Sequence, residues 1–280
     1  MWWFVTDAPS TKATSLTNRR RVGGWCLDGD MPEFAKSTDG TSIAYDVAGS
    51  GPALVLTGGA FNTRHSPGEL VGLLAPHFTV YTWDRRGRGD SGNTLPYAIE
   101  RETDDLSAVI AAAGGTALAY GHSSGAILIL EAAMRGASIS KIAVYEPPYV
   151  PENLEAMAGV QPALDAGDPA LAALTFVKGT GAENTDGLTR SPWWPSMVAI
   201  AGTLSHDLAL TGDGVVPTER LAAIHVPLLV LAGGASPAWA ANAAIAIESA
   251  VPDGRTVTVD GQNHNVSPAA LAPILIDFLE

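Results

Sequence analysis

Gly121-His122-Ser123-Ser124-Gly125, near the middle of a 280-residue chain, carries the reading of the fold. Before it, Thr116–Tyr120 is a short apolar run; after it, Ala126–Arg135 has helical spacing and is closed by Gly136. A serine in a sharp strand-to-helix turn is forced into a strained conformation that lifts its hydroxyl above the sheet edge. Glycines two residues to either side remove the side chains that would clash with such a turn. The amides at the helix start point at any negative charge developing there. A bare G-x-S-x-G is a weak pattern, but one framed by a strand and a helix predicts a nucleophile, Ser123.

The same rhythm extends outward. Phe34–Ser37 and Ser42–Ala48, joined by Thr38-Asp39-Gly40-Thr41, read as a hairpin. Ala53–Leu56, Phe78–Trp83, Lys141–Tyr145, Pro227–Ala232 and Thr256–Val259 are further strand-like runs bounded by Gly, Pro or Asp. Thr103–Ala113, Ser124–Arg135 and Ala240–Ala250 have helical spacing. Strands alternating with helices predict an α/β fold, with a mostly parallel central sheet and helices on both faces. In such sheets the chemistry sits at the carboxyl ends of the strands. A last helix is expected at about Pro268–Leu279, capped by Ser267, with Pro273 kinking it or delaying its start. Between about 149 and 226 the rhythm breaks. That Ala- and Gly-rich stretch has no convincing strand and is expected to form a helical lid over the strand ends. Residues 31–280 then make one domain.

Composition narrows the function classes. The net charge of −13 argues against nucleic acid or an anionic membrane as partner, since phosphate binding needs a basic footprint. No run approaches the ~18 apolar residues of a membrane span, and no apolar block follows a basic start as in a secretory leader; the expected location is the cytoplasm. A single cysteine, Cys26, leaves no internal disulfide and no cysteine-based metal cluster. Residues 1–30 carry a net charge of +1, lack periodicity and read as a disordered tail, with Met31 a candidate start of the native protein. No oligomeric state is specified.

Two further stretches complete a candidate site. Gly261-Gln262-Asn263-His264 follows the last strand-like run, so His264 can reach a nucleophile at the sheet centre as its base. His65, His77, His206 and His225 lack that context, and His122, adjoining Ser123, is expected to face away from it. Thr57-Gly58-Gly59-Ala60 follows Ala53–Leu56. A tetrahedral intermediate needs two fixed donors at its oxyanion, each worth about 3–4 kcal/mol; the amides of Gly59 and Ser124 are the candidates.

With Asp84-Arg85-Arg86-Gly87-Arg88-Gly89-Asp90-Ser91 after Phe78–Trp83, these residues make the chain resemble the α/β-hydrolase superfamily over about residues 33–280. The resemblance is to its serine-nucleophile, carboxylesterase- and lipase-like members. It implies the fold, the lid and hydrolysis through an acyl-enzyme, and it makes the Asp84–Ser91 stretch chiefly structural. Thr57-Gly58 stands where the family often has His-Gly, which leaves the backbone donor intact.

One departure bears on mechanism. The family's acid usually follows the strand that here is Pro227–Ala232, about three residues after a Gly, but Gly233-Gly234-Ala235-Ser236-Pro237 holds no carboxylate. Some members carry the acid one strand earlier, where this chain has Glu146 in Tyr145-Glu146-Pro147-Pro148. Glu146 is the expected acid, ahead of Asp253 and Glu248. A serine at the elbow sets the chain apart from epoxide hydrolases and haloalkane dehalogenases, which use aspartate there. The expected function is cleavage of an ester, lactone or similar acyl bond of a small apolar substrate. The absence of metal-ligand spacing and of a phosphate-cradling loop implies no cofactor. Phe61, His122, Trp193 and Trp194 are candidates for touching substrate, with core packing the competing reading of the two tryptophans. A catalytically inactive ligand-binding protein, a cofactor-free haloperoxidase or perhydrolase, and a carbon–carbon hydrolase remain open on the same fold.

Overall fold

The computed structural model describes residues 31–182 and 185–280; the tail expected over 1–30 lies outside them. Eight strands form one sheet: β1 (Glu33–Lys36), β2 (Ser42–Gly49), β3 (Ala53–Thr57), β4 (Thr79–Trp83), β5 (Ala117–His122), β6 (Ile139–Tyr145), β7 (Leu228–Gly233) and β8 (Gly254–Val259). Their order is β1-β2-β4-β3-β5-β6-β7-β8. Only β1–β2 and β2–β4 pair antiparallel, as the opening hairpin requires; every other pair is parallel.

The central parallel strands β3, β5, β6 and β7 are apolar on both faces because both are covered. In β3, β5, β6 and β7, Val55, Ala119, Val144 and Val230 join one core. Their neighbours Leu56, Tyr120, Tyr145 and Leu231 join the other, which is the period of two that a pleated strand imposes. Helices α2 (Ile99–Ala112), α3 (Ser124–Met134) and α11 (Ala238–Ala250) pack on the first side, α1 (Glu69–Leu74) and α12 (Pro268–Leu279) on the second. α2 begins four residues before the apolar spacing announces it, because Glu102 in its first turn is buried against Arg85. α12 corrects one half of the expectation about Pro273, the delayed start. It starts at Pro268 under a Ser267 cap and runs on through the proline. Buried Leu271, Ala272, Leu275 and Leu279 offset the ~3 kcal/mol of an interior proline.

Between β6 and β7 lie α4 (Glu152–Met157), α5 (Val160–Asp165), α6 (Pro169–Gly179), α7 (Thr185–Thr189), α8 (Trp194–Ile200), a 3-10 turn (Ala201–Thr203), α9 (Leu204–Thr211) and α10 (Thr218–Leu221). This insertion has its own small cores, one around Met157, Val160, Phe176 and Leu204, the other around Val177, Leu188 and Met197. Phe61, from the β3–α1 loop, packs against both. Among the described residues no helix is long and apolar enough to cross a membrane.

Candidate active site

The parallel strands end in register: Thr57 lies beside Gly121, His122 beside Tyr145, and Tyr145 beside Leu231. The residues that follow them therefore meet at one sheet edge. Ser123 follows β5 with φ 58° and ψ −129°, a conformation costing a non-glycine residue on the order of 1–3 kcal/mol. Its amide donates to the Tyr145 carbonyl at 2.9 Å, and its carbonyl accepts from Ala126 to start α3. A Cβ at Gly121 would stand 2.6 Å from the Cα of Ala126, and one at Gly125 would collide with the carbonyls of Thr57 and Gly58. The turn therefore admits only glycine at both places.

His264 reaches Ser123 from the loop between β8 and α12. Its Nε2 lies 3.1 Å from Ser123 Oγ, and its Nδ1 lies 2.7 Å from Glu146 Oε2. Glu146 is fully buried and has φ 45°. Its second oxygen, Oε1, accepts from the amide of Gly233 at 2.7 Å and from the hydroxyl of Ser236 at 2.5 Å. Burial by itself would push this carboxyl up. The hydrogen bonds from His264, Ser236 and Gly233, with the attraction of the imidazole, hold it below the usual glutamate value instead. An ionised carboxylate only accepts, so the His264 proton sits on Nδ1 and the Nε2 lone pair faces the serine hydroxyl.

The loop carrying His264 is pinned from two sides. Tyr145 donates its hydroxyl to the carbonyl of Asn263 at 2.7 Å, and His122 Nε2 donates to the carbonyl of His264 at 2.9 Å. His122 therefore does not simply turn away. Its ring lies 5.0 Å from that of His264 and 5.6 Å from that of Tyr145. Burial, with the neighbouring His264, lowers its pKa to about 4, so it stays neutral and serves as a donor.

Gly59 packs directly on Ser123: a Cβ there would stand 2.7 Å from Ser123 Cβ. Among the described residues the amides of Gly59 and Ser124 are bonded to no backbone acceptor. Above Ser123 is a cavity of about 290 Å³. Its apolar wall comes mainly from Phe61, Leu154, Met157, Phe176, Met197 and Trp239. Phe61, at φ 60°, meets Phe176 edge-on with centroids 5.6 Å apart.

Trp193 and Trp194 do not line the cavity. Trp193 lies at the surface, and Trp194 packs into the small cores of the insertion, so the packing reading holds for Trp194. Trp239, which the sequence did not mark, borders the cavity instead, its ring 5.9 Å from that of His264. Ser236 and Asp207 were also missed. Ser236 had a signal, since it stands three residues after Gly233, at the place where the acid was sought. Asp207 had none.

A model of the alpha/beta hydrolase family matches residues 35–274. An alpha/beta hydrolase of Sphaerobacter thermophilus is 44% identical, with a TM-score of 0.84 over 89% of this chain and all of its own. The esterase RhEst1 of Rhodococcus sp. shares the fold at 22% identity, with a TM-score of 0.72 over 89% of this chain and 98% of its own. The uncharacterized hydrolase YraK of Bacillus subtilis is 34% identical over 100 residues, which span 34% of this chain and only 37% of that protein. With the eight-stranded sheet and the elbow at Ser123, these matches place the chain in the alpha/beta hydrolase family.

Proposed function

We propose that the protein is a serine hydrolase that cleaves an ester, lactone or similar acyl bond of a small, uncharged, largely apolar substrate. The observation that carries this reading is the hydrogen-bonded relay Ser123–His264–Glu146 at the floor of the cavity. In the proposed reaction Ser123 Oγ attacks the carbonyl carbon while His264 Nε2 takes its proton, and Glu146 stabilises the imidazolium. The amides of Gly59 and Ser124 hold the oxyanion. His264 then protonates the leaving oxygen, and a water activated by the same imidazole hydrolyses the acyl-enzyme. The apolar wall supports an apolar acyl group. Among the described residues no lysine or arginine lines the cavity, which speaks against an anionic substrate. The insertion is the proposed lid. The ligand-binding alternative rested on the missing carboxylate after β7; Glu146 bonded to His264 removes that support.

The test is labelling with a fluorophosphonate, read by intact mass, together with turnover of short-chain esters and lactones. One adduct on the wild type, none on Ser123→Ala, and loss of turnover in that variant are expected. Full esterase activity in Ser123→Ala, or a folded wild type that neither reacts nor turns over, would overturn the reading. Peracid formation and diketone cleavage, assayed in parallel, separate the nearer alternatives.

A further inference from the structure

We infer that Arg88 and Asp207 are positioning residues for the oxyanion site, and that through them the helical insertion governs reaction at Ser123. The inference rests on the proposed reading of Ser123 as nucleophile. It gives the Asp84–Ser91 stretch, which the fold alone does not fully explain, a part in the chemistry.

Arg88 is a buried side chain whose guanidinium is hydrogen-bonded all round. Its Nε donates to Thr203 Oγ1 at 3.0 Å, and its Nη1 to the carbonyls of Gly59 at 2.6 Å and Asn62 at 3.3 Å. Its Nη2 donates to both oxygens of Asp207, at 2.9 and 2.7 Å. Five N–H groups thus meet five acceptors. Two of those acceptors lie on the loop that presents Gly59, and the other three on the insertion, in the 3-10 turn and α9.

Asp207 closes the bridge. Its Oδ1 accepts from the hydroxyl of Ser124 at 2.6 Å and from Arg85 Nη1 at 2.7 Å. Arg85 is in turn held by Glu102, through Nε at 2.7 Å and Nη2 at 3.1 Å. The residues carrying the two oxyanion amides are therefore joined by one chain of contacts: Gly59 carbonyl, Arg88, Asp207, Ser124 hydroxyl. The link at Gly59 fixes the peptide on the far side of its Cα, and the link at Ser124 fixes the first residue of α3. Buried ion pairs contribute little net stability because both charges are desolvated, and an apolar contact would hold the insertion as well. What this cluster provides is fixed geometry. Oxyanion donors act within a narrow distance range, and a displacement of about 1 Å can cost on the order of a hundredfold in rate.

Two variants separate this role from simple packing. Ser124→Ala keeps the amide and removes the hydroxyl link. Arg88→Lys keeps the charge but replaces the fork with a point donor. Each is measured with a p-nitrophenyl ester, per active site titrated with fluorophosphonate. A trifluoromethyl ketone, which forms a tetrahedral oxyanion on serine, and the corresponding alcohol, which forms none, are then compared as inhibitors. Both variants should lower kcat per site by about 10- to 100-fold with KM within about threefold. Affinity for the ketone should fall in parallel, and affinity for the alcohol should hold. Should Arg88→Lys fail to fold, Ser124→Ala alone decides. A kcat per site within twofold of wild type, or equal loss of both inhibitors, overturns the inference and leaves the hydrolase reading standing. A wild type without turnover or labelling overturns both.

Discussion

Glu146 and Asp207 are buried carboxylates, one bonded to His264 and the other to Ser124; both are held below their usual pKa, and they differ in how. Asp207 is brought to about 2: burial works against this, and Arg88 and Arg85, with Ser124, outweigh it. Glu146 has no guanidinium. It is held by an imidazole, a hydroxyl and a backbone amide. The negative charge of Asp207 is balanced before any substrate arrives, so it contributes shape. In the proposed reaction the charge of Glu146 gains a full counter-charge only when His264 takes the serine proton, so its attraction would be strongest in the transition state. Only interactions that strengthen between ground and transition state raise kcat. On the proposed reading the same kind of side chain thus serves chemistry in one place and architecture in the other.

The largest effect that can break this contrast is expected from Glu146→Gln. The amide keeps the volume of the side chain but presents an N–H to Nδ1 or flips the His264 tautomer. Ester turnover should fall by on the order of 10²–10⁴ in kcat, with little change in melting temperature. A loss within twofold would mean that Glu146 does not stabilise the imidazolium.

A smaller effect sharpens the contrast from the side of β7. Ser236 donates to Glu146 from the loop where the family usually keeps its acid, so that loop supplies a donor in place of a charge. Ser236→Ala removes one of the three donors that stabilise the ionised form. A hydrogen bond to a charged group is worth about 1.5–3 kcal/mol, so kcat should drop by roughly tenfold or more. The Glu146 pKa should rise, because its ionised form loses one of the donors that stabilise it. Adding Ser236→Asp to Glu146→Gln should restore at least tenfold of the lost rate, because it returns a carboxylate to the neighbouring strand end. No recovery would mean that only the β6 position can present a carboxylate to Nδ1.

These features were unequally legible in the sequence. The elbow is local: glycines around Ser123, a strand before and a helix after are all within a dozen residues. The sheet was legible because strands covered on both faces are short apolar runs, and errors stayed at their ends. Glu146 could be placed only because the loop after β7 lacked a carboxylate. Asp207 could not be found, since its partners Ser124 and Arg88 lie 83 and 119 positions away and its helix shows no pattern that marks it. Trp194 stayed open between core and cavity for a related reason. An aromatic in an insertion packs into whichever small core is nearest, and composition does not say which side faces the cavity.

The smallest expected effect is on stability rather than rate, and it tests the other half of the contrast. The folded value of Asp207, about 2, lies below its ordinary value of 3.8. Its contribution to stability is therefore fully present above about pH 4 and is lost as pH falls through about 2, amounting to about 2 kcal/mol. Asp207→Asn should unfold at lower urea than wild type at pH 6, and the gap should narrow steadily as the pH is lowered toward 2. Asp39 is also depressed to about 2, so wild type alone will show a compound acid transition. The difference between the two proteins isolates Asp207, because Asp39 titrates in both. A gap that stays constant down to pH 2 would mean that Arg85 and Arg88 hold the shape of this side chain and not its charge. The ionised charge of Asp207 would then add nothing to stability, and the distinction between a balanced and an unbalanced carboxylate would rest on Glu146 alone.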